Sequence, residues 1–329
     1  MLLQVLNTIL TVIAGIAAAL VLFWILNKIA ELLPGNAQYR VKPYLFILPA
    51  FLAILGYLVY PAVLSLIDSF KTKVNFPAEH WVGVENYTKL FSNNKFQDAL
   101  LNTGLWIIIV PVVSIVIGLG VAVLVDRMNP KSEKAAKTVI FLPMAVSAVA
   151  AATVWKFVYS YQPDGSPQIG LLNAIWTGLG GEPVAWLGTS EMRFNSILLM
   201  VMMLWSQIGF SMVLLSSAVK AVPVETLEAA RIDGANERQA FFRVVVPQIW
   251  PTIITVFITV LIGVMKIFDI VYVMTGGNFK TSVIGMEFWN FYSDVNYGTA
   301  SAIVVILMIA IIPIMIFQVR QFRREEAMR

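Results

Sequence analysis

The sequence contains no cysteine, a single histidine (His80) and few charged residues. Without cysteine there are no disulfides, no thiolate metal ligands and no cysteine nucleophile, and one histidine cannot form a histidine cluster around a metal. Charged residues make up 13% of the chain, whereas soluble domains carry about 25%. Hydrophobic residues make up 59% of the 329 residues. The composition therefore predicts a polytopic membrane protein.

Other absences exclude several classes of function. The sequence has no G-x-x-x-x-G-K-[ST] phosphate loop, so we expect the chain itself to bind no ATP or magnesium and to be no enzyme. A serine–histidine hydrolase would need histidine at membrane depth, but His80 lies between hydrophobic runs, and Asp269 is the lone acidic residue of its run. We therefore predict no catalytic residue and no metal site. The formal charge of +4 lies in segments that flank hydrophobic runs, which predicts no nucleic-acid partner.

Seven hydrophobic runs are long enough to cross a bilayer, which takes about 20 mostly apolar residues. We predict an all-α bundle of seven transmembrane helices. The N-terminal run begins "MLLQVLNTIL", without the basic segment of a secretory signal, and is expected to be retained as the first helix. The runs lie before Lys28, and at 42–68, 98–126, 137–159, 193–220, 250–275 and 294–320.

The basic residues predict the orientation, because cytoplasmic connections are enriched in lysine and arginine. Segments 28–42, 126–137, 220–243 and 320–329 together hold 15 of the 23 basic residues. We therefore expect these four segments in the cytoplasm, with the N-terminus outside and the C-terminus inside. The connections on the other side are rich in aromatic residues, proline and glycine, which predicts small folded caps that either meet an external partner or anchor at the interface.

Residues 220–248, here called the hairpin, predict two short helices on the cytoplasmic side. Pro223 suits a first helical position, and Gly234 after Asp233 is a helix stop. Asn236 followed by Gln239 has the spacing of a capping box, and Pro247 is expected to limit the second helix. Charges beside small alanines suit a docking surface for a partner, but a solvated loop remains an alternative.

The hairpin resembles the EAA loop of binding-protein-dependent ABC import permeases, whose pattern is Glu-Ala-Ala, three residues, Gly, nine residues, Ile-x-Leu-Pro. Val244 and Val246 replace the Ile and Leu of the pattern and stay apolar. The resemblance implies that an ATPase docks on this loop. The matching and neighbouring residues to which it assigns this role are Glu228, Ala229, Ala230, Arg231, Asp233, Gly234, Ala235 and Pro247.

Other segments are similar to sugar permeases of the maltose-permease type, and above all to α-glucoside permeases. They are "FLPMAVSAVAAATVWKFVY", "GLLNAIWTGLGG" and "FDIVYVMTGGNF", the last of which departs from the "TGGGP" of many relatives. The resemblance implies a six-helix permease core at 43–329, preceded by an additional transmembrane helix and cytoplasmic linker at 1–42. It further implies a bacterial cytoplasmic (inner) membrane location, a cytoplasmic ATPase dimer that uses ATP and Mg, a second permease subunit, an external solute-binding protein and a carbohydrate substrate.

Polar and aromatic residues at membrane depth are candidates for the substrate path, because a charge at the centre of a membrane helix is costly and usually functional. Lys266 and Asp269 are three residues apart and are expected to share a helix face, where they either pair for structure or line the path. Lys156 either lines the path or extends to the interface. The full set is Trp155, Lys156, Trp205, Gln207, Lys266, Asp269 and Tyr272, with Asn102 and Trp106 as further candidates at the outer start of the third helix.

Two transport mechanisms are compatible with these residues. In an ABC importer subunit, the hairpin carries the motion of an ATPase to the helices by alternating access. In an ion-coupled secondary transporter, Lys266 and Asp269 would belong to an ion relay and the hairpin would have no special role. The absence of a visible internal repeat favours the ABC importer subunit.

Overall fold

The computed structural model describes residues 2–72, 80–163 and 165–327, which are almost entirely helical. Sixteen α-helices occur in this part of the chain. They are α1 (Leu2–Glu31), α2 (Gly35–Ile54), α3 (Tyr60–Asp68), α4 (Glu85–Ser92), α5 (Asn94–Asp126), α6 (Pro130–Phe141), α7 (Ala148–Val158), α8 (Leu171–Gly178), α9 (Phe194–Lys220), α10 (Val224–Ile232), α11 (Glu237–Ala240), α12 (Val246–Gln248), α13 (Trp250–Met265), α14 (Asp269–Met274), α15 (Ile284–Ser293) and α16 (Tyr297–Ala327).

Short irregular helices and one small sheet complete the described structure. Two π-helical segments, Leu55–Val59 and Phe241–Val245, continue α2 and α11, and two 3-10 segments, Leu142–Ala145 and Glu191–Arg193, follow α6 and precede α9. Strands β1 (Lys71–Thr72) and β2 (His80–Trp81) pair antiparallel, with Lys71 opposite Trp81 and Thr72 opposite His80. The predicted all-α class is therefore confirmed.

Length and composition support five to seven membrane spans among the described residues, a range that includes the predicted seven. Five single helices are long and apolar enough to cross a membrane, and two bent helix pairs raise the number to seven if each pair is one span. The five are Leu3–Glu31, Gly35–Asp68, Asn94–Asp126, Glu191–Lys220 and Tyr297–Gln321. The pairs are Pro130–Ala145 with Ala148–Val158, and Glu237–Gln248 with Trp250–Met265.

Contacts between residues divide the chain into two compact units, Met1–Ile67 and Asp68–Arg329. In the first unit, α1 packs on α2, and Phe23 stacks on Phe46 with 5.7 Å between ring centroids. This division lies 25 residues beyond the predicted start of the permease core, after residue 42. The two boundaries rest on different criteria, since one follows packing and the other follows a family resemblance, and the boundary at residue 42 stays a prediction.

The second unit is built around the pair of long helices α5 and α9. They approach closely where α5 carries Gly118, because a Cβ atom there would lie 2.7 Å from the Cβ of Ser211. Buried side chains of α5, α7, α9, α13 and α14 form the main hydrophobic cluster of this unit. Trp106 is fully buried in it.

The fourth predicted span is a broken helix rather than a continuous one. The α6 helix ends at Phe141, the segment Leu142–Ala145 is 3-10 helical, and α7 begins after Ser147, whose hydroxyl accepts a hydrogen bond from the Ala150 amide at 3.3 Å. The two halves meet at 100°. A side chain on Gly209 of α9 would meet the carbonyl oxygen of Ile140 and would lie 3.0 Å from the Phe141 Cα, so the bend packs directly on α9.

The sixth predicted span is broken as well. The α13 helix ends at Met265, and α14 begins at Asp269 after the non-helical residues Ile267 and Phe268. Lys266 and Asp269 therefore flank a break and are not three residues apart on one helix. The expectation that they share a helix face is wrong, because that spacing brings side chains together only where the helix is continuous. Neither side chain forms an ion pair with another described residue.

Compact structure also occurs in the connections predicted to be folded caps. The amide of Asn173 in α8 donates to the carbonyl oxygens of Ser160 at 3.1 Å and Val184 at 2.9 Å, and its oxygen accepts from the Trp186 indole at 2.9 Å. One buried side chain thus ties the connection between α7 and α9 together. Residues 73–79 of the first cap and residue 164 of the second lie outside the described residues.

Candidate functional site

The first helix of the hairpin ends at the predicted glycine. Gly234 has φ of +85°, where residues with a Cβ atom are strained. The amide of Ala235 donates to the Ala230 carbonyl and that of Gly234 to the Arg231 carbonyl, both at 3.0 Å. These two bonds form a Schellman motif. Pro223 is the N-cap of α10 rather than its first residue, a shift of one position in the predicted start.

The second helix of the hairpin begins with the predicted capping box. The Asn236 side chain accepts from the Gln239 amide at 3.0 Å, and the Gln239 side chain accepts from the Asn236 amide at 2.9 Å. The expectation that Pro247 limits this helix is confirmed to within one residue, because the helix ends at Gln248 and bends by 67° into α13. The π-helical segment Phe241–Val245 ends two residues before this proline, and its wider turn accommodates a residue that cannot donate a backbone hydrogen bond.

The outer face of α10 is open and carries the Glu-Ala-Ala motif. Glu228 and Ala229 are exposed, and the Glu228 carboxylate forms no ion pair or hydrogen bond with another described residue. Ile232 is 86% exposed at the tip of this helix. The guanidinium of Arg231 reaches across the turn to the Glu237 carboxylate at 3.0 Å and forms an exposed ion pair between the two helices. The hairpin therefore offers an acid without a described partner and an apolar tip.

A shallow cleft follows the turn of the hairpin. Its volume is about 310 Å³. The lining residues are Ala230, Asp233, Gly234, Ala235, Gln239, Arg243 and Val244. Asp233 and Ala235 thus lie beside the turn glycine as the pattern predicts, and Pro247 is exposed on α12.

The base of the hairpin packs against the core helices. Val222, Val245 and Ile249 are buried together and contact Leu119 of α5 and Val219 of α9. The hairpin is thus attached at both ends to the helix pair that forms the centre of the second unit. Leu227 of α10 packs partly buried against this cluster, so apolar contacts connect α10 with α5 and α9.

A network of charges, here called the charge cluster, joins α5, α6 and α9 beside the hairpin base. Lys137 of α6 lies 2.7 Å from the Asp126 carboxylate and 2.6 Å from that of Glu133. Lys220, at the end of α9, also pairs with Glu133. The Ser216 hydroxyl donates to Asp126 at 2.7 Å. In the sequence, Asp126, Lys137 and Lys220 stand out only as limits of hydrophobic runs. Their pairing depends on how the helices pack.

The structure brings several path candidates together on α7, α9 and α14. The Trp155 and Trp205 rings meet edge to face at 5.9 Å, and Trp155 lies 5.5 Å from the Tyr159 ring. The Lys156 ammonium lies 3.4 Å from the Val273 carbonyl oxygen. This lysine therefore turns toward a neighbouring helix of the unit. Trp205 is 39% exposed, so part of this group is open.

The remaining path candidates lie around the break between α13 and α14. Lys266, Asp269 and Tyr272 are all exposed. The Tyr272 ring stacks on Phe268 at 5.2 Å and meets Trp289 of α15 at 6.2 Å. The half-buried Gln207 amide forms no hydrogen bond with another described residue. Trp289 was not among the predicted candidates, because it lies outside the spans in sequence.

Asn102 and Trp106 do not line a path in this structure, since both are fully buried. The Asn102 amide donates to the carbonyl oxygens of Lys280 at 2.6 Å and Ser282 at 2.8 Å, and its oxygen accepts from Arg193 at 2.7 Å. Arg193 also pairs with Asp98 at 2.5 Å. Asn102 therefore fastens the loop after α14 to the starts of α5 and α9.

These contacts define two ends of the second unit. The hairpin end carries the hairpin and the charge cluster. The opposite end carries the starts of α5 and α9 and the loop after α14, which Asn102 and Arg193 join. The candidate path residues of α14 lie toward the opposite end.

The sequence of the chain matches a known family of transport proteins. Residues 94–326 match the family described as binding-protein-dependent transport system inner membrane component. The α-glucoside transport system permease protein AglF of Rhizobium meliloti is 41% identical and covers 98% of both chains. The osmoprotective compounds uptake permease protein GgtC of Synechocystis is 44% identical over 87% of this chain and 100% of the relative.

Solved structures show the same fold. The chain of a bacterial ABC transporter that imports the acidic polysaccharide alginate aligns with a TM-score of 0.74 and 21% identity. The alignment covers 88% of this chain and 99% of that one. At this identity the similarity concerns the fold alone.

The helical bundle carries a capped hairpin at one end, and the matching family consists of transport permeases. The chain belongs to the binding-protein-dependent transport system inner membrane component family. It is an integral inner-membrane permease subunit of an ABC importer, and the family match favours this function over that of an ion-coupled secondary transporter. Membership implies that it works with an ATPase and a binding protein.

Proposed function

We propose that the chain is the sugar-conducting permease subunit of an importer for α-glucosides or similar disaccharide-type carbohydrates. The observation that carries the proposal is the full-length similarity to an α-glucoside permease, at 41% identity over 98% of both chains. Half-exposed tryptophan and tyrosine rings beside lysine and aspartate at the break after α13 suit a hydroxyl-rich ligand. Aromatic faces pack on the C–H faces of sugars, and charged groups bond the hydroxyls.

The hairpin is the proposed docking device for a cytoplasmic ATPase dimer. Glu228 supplies an unpaired carboxylate and Ile232 an exposed apolar anchor, on a helix whose end is fixed by the Gly234 turn. When ATP closes the ATPase dimer, the motion enters through α10 and passes to α5 and α9 at the hairpin base. In this alternating-access cycle the chain binds no ATP, magnesium or metal and performs no catalysis itself.

The proposed topology puts the hairpin end in the cytoplasm and the opposite end outside, with the N-terminus outside and the C-terminus inside. The excess of basic residues in segments 126–137 and 220–243 supports it, and the charge cluster joins the same two segments. A second, different permease subunit is proposed to complete the path, because Lys266, Asp269 and Trp205 are exposed in the single chain. The proposed additional helix and linker comprise residues 1–42.

The docking role is tested by co-purification of the chain with its ATPase. We expect Glu228→Ala to weaken the association at least tenfold while leaving the melting temperature of the permease unchanged, because the side chain has no described partner within the chain. Glu225→Ala is the matched control, since Glu225 is an exposed acid in the first turn of the same helix. Equal retention of the ATPase by both variants would contradict the docking role of Glu228.

The substrate class is tested on the complete importer in proteoliposomes. We expect one or more of maltose, trehalose and sucrose, presented with the binding protein, to stimulate ATP hydrolysis and to accumulate inside. Uptake of sugar by this chain alone in liposomes without ATP would refute an ATP-driven mechanism.

A further inference from the structure

Five aromatic rings, here called the aromatic row, follow one another from α14 to the start of α16. They are Phe268, Tyr272, Trp289, Tyr292 and Tyr297. Successive centroids lie 5.2 Å apart for the first pair, then 6.2, 6.3 and 5.3 Å. The row thus begins beside Asp269, a candidate path residue, and ends at the first residue of α16.

Four rings of the row are exposed to a large extent, whereas Phe268 packs partly on the main hydrophobic cluster. Tyr272 is 49% exposed, Trp289 40%, Tyr292 47% and Tyr297 37%. These four rings form a contiguous surface at the end opposite the hairpin. Trp289 and Tyr292 are stacked with an angle of 27° between their planes, so they present neighbouring faces.

A polar cleft adjoins the middle of the row. Its volume is about 520 Å³, within the roughly 300–1,000 Å³ of small-molecule sites. Tyr272 and Trp289 form part of the wall, and the polar side chains of the wall are Asn93, Lys95, Asn278, Glu287, Asn290, Ser293 and Asp294. Two rings of the row thus share a cleft with amide and charged side chains of the same chain. A hydroxyl-rich ligand matches both parts of this wall.

Several polar groups of the cleft have unused hydrogen-bonding capacity. The Asn290 amide, the Lys95 ammonium and the Asp294 carboxylate form no hydrogen bond or ion pair with another described residue. Asn290 supplies a donor and an acceptor, which is what vicinal sugar hydroxyls require. By contrast, the buried Glu287 carboxylate already accepts from the Ser282 hydroxyl at 2.5 Å and serves as a fixed part of the wall.

We infer that this cleft is a saccharide subsite that adjoins the candidate path residues around the α13–α14 break and shares Tyr272 with them. One pyranose face packs on Trp289 and Tyr272, and Asn290 bonds the ring hydroxyls. The cleft lies at the opposite end from the hairpin, where Asn93 and Lys95 start α5. A sugar that enters there meets the subsite first and passes along Tyr272 to Asp269 and Lys266. This inference rests on the proposed sugar-import function.

The test measures sugar binding directly on the complete permease–ATPase complex in nanodiscs, without the binding protein and with a non-hydrolysable ATP analogue. The probes are radiolabelled maltose, trehalose and sucrose, each in turn. We expect Trp289→Ala to raise the dissociation constant of the bound sugar about tenfold or more, and Asn290→Ala to raise it about threefold to tenfold. Trp289→Phe, which keeps a ring, should stay within threefold of the wild type.

Trp250→Ala is the matched control, because Trp250 is 55% exposed at the start of α13 and takes no part in the row. Asn290→Ala guards against misfolding, since its side chain has no described partner to lose. A second measurement varies the concentration of sugar-loaded binding protein in the ATPase assay. The concentration giving half-maximal activity should stay within twofold in every variant.

The outcomes separate this subsite from the proposed function. If the wild type binds one of the sugars and both alanine variants bind it equally well, the subsite is refuted while sugar import stands. If the variants change only the concentration of binding protein that gives half-maximal ATPase activity, the row is a protein-docking surface and the subsite is refuted. If the wild type binds none of the three sugars and none stimulates ATP hydrolysis, the proposed substrate class fails, and the subsite fails with it.

Discussion

The Lys137 ammonium lies 2.7 Å from the Asp126 carboxylate, across the contact between α6 and α5. Their side chains are only 22% and 11% exposed, and one Asp126 oxygen is buried without a hydrogen-bond partner in the described structure. This carboxylate is compensated by Lys137, by the Ser216 hydroxyl and, at 3.8 Å, by the Lys220 ammonium. The pair fixes the first half of a broken span to the helix on which the hairpin base also packs.

We predict that Lys137→Ala lowers the free energy of unfolding by about 1–3 kcal/mol, because the mostly buried Asp126 carboxylate then keeps only Ser216 and the more distant Lys220. Lys220→Ala should cost less than about 1 kcal/mol, since Lys220 is 49% exposed and exposed pairs contribute little. Thermal unfolding of the purified permease in one detergent compares the two variants. Equal melting temperatures for both variants would show that Lys137 contributes no more to the stability of the permease than Lys220 does.

Gly234 adopts φ of +85° in open space, and a Cβ atom added there would have no neighbouring atom within 4 Å. Gly234→Val should therefore strain only the backbone of the turn, by about 1–3 kcal/mol, and misdirect α10. We expect expression and insertion to persist while sugar uptake falls at least tenfold relative to ATP turnover. Gly234→Asn is the control, because asparagine tolerates this conformation better than valine. Normal uptake by the valine variant would contradict a coupling role for the turn.

Gly209 lies where α9 meets the end of α6. An added Cβ atom there would collide with the Ile140 carbonyl oxygen, so we expect Gly209→Ala to lower the melting temperature of the permease by several degrees. Gly120→Ala is the matched control, because Gly120 is a helical glycine with open space around it, and alanine there should be neutral or slightly stabilising. Identical melting curves for the two variants would mean that the bend between α6 and α7 can shift to accommodate the added methyl group without loss of stability.

Asp269 begins α14 and forms no described ion pair. Asp269→Asn should therefore leave expression and the melting temperature nearly unchanged, while sugar uptake falls at least tenfold. Uptake is measured in proteoliposomes containing the complete importer, and expression is measured by fluorescence-detected chromatography. A parallel collapse of expression and uptake would instead support a structural role for this carboxylate.

Much of the hairpin was predictable because its signals are local. The Schellman motif links residues 230–235 and the capping box links residues 236–239, so a short stretch of sequence contains every group involved. The end of the second helix beside Pro247 was predictable too, but the π-helical segment before it was not. The partners of Asn102 were not predictable either, because its acceptors are the carbonyl oxygens of residues 280 and 282, almost 180 positions away.

The sequence by itself determined the membrane class, the number of spans and the hairpin with its turn, because composition, run length and capping act over a few neighbouring residues. Only the tertiary structure decided where the fourth and sixth spans break, which charges form the charge cluster and which rings form the aromatic row. Those features depend on contacts between helices far apart in the chain. The spacing of Lys266 and Asp269 implied a shared face only for an unbroken helix, and the packed structure interrupts that helix between them.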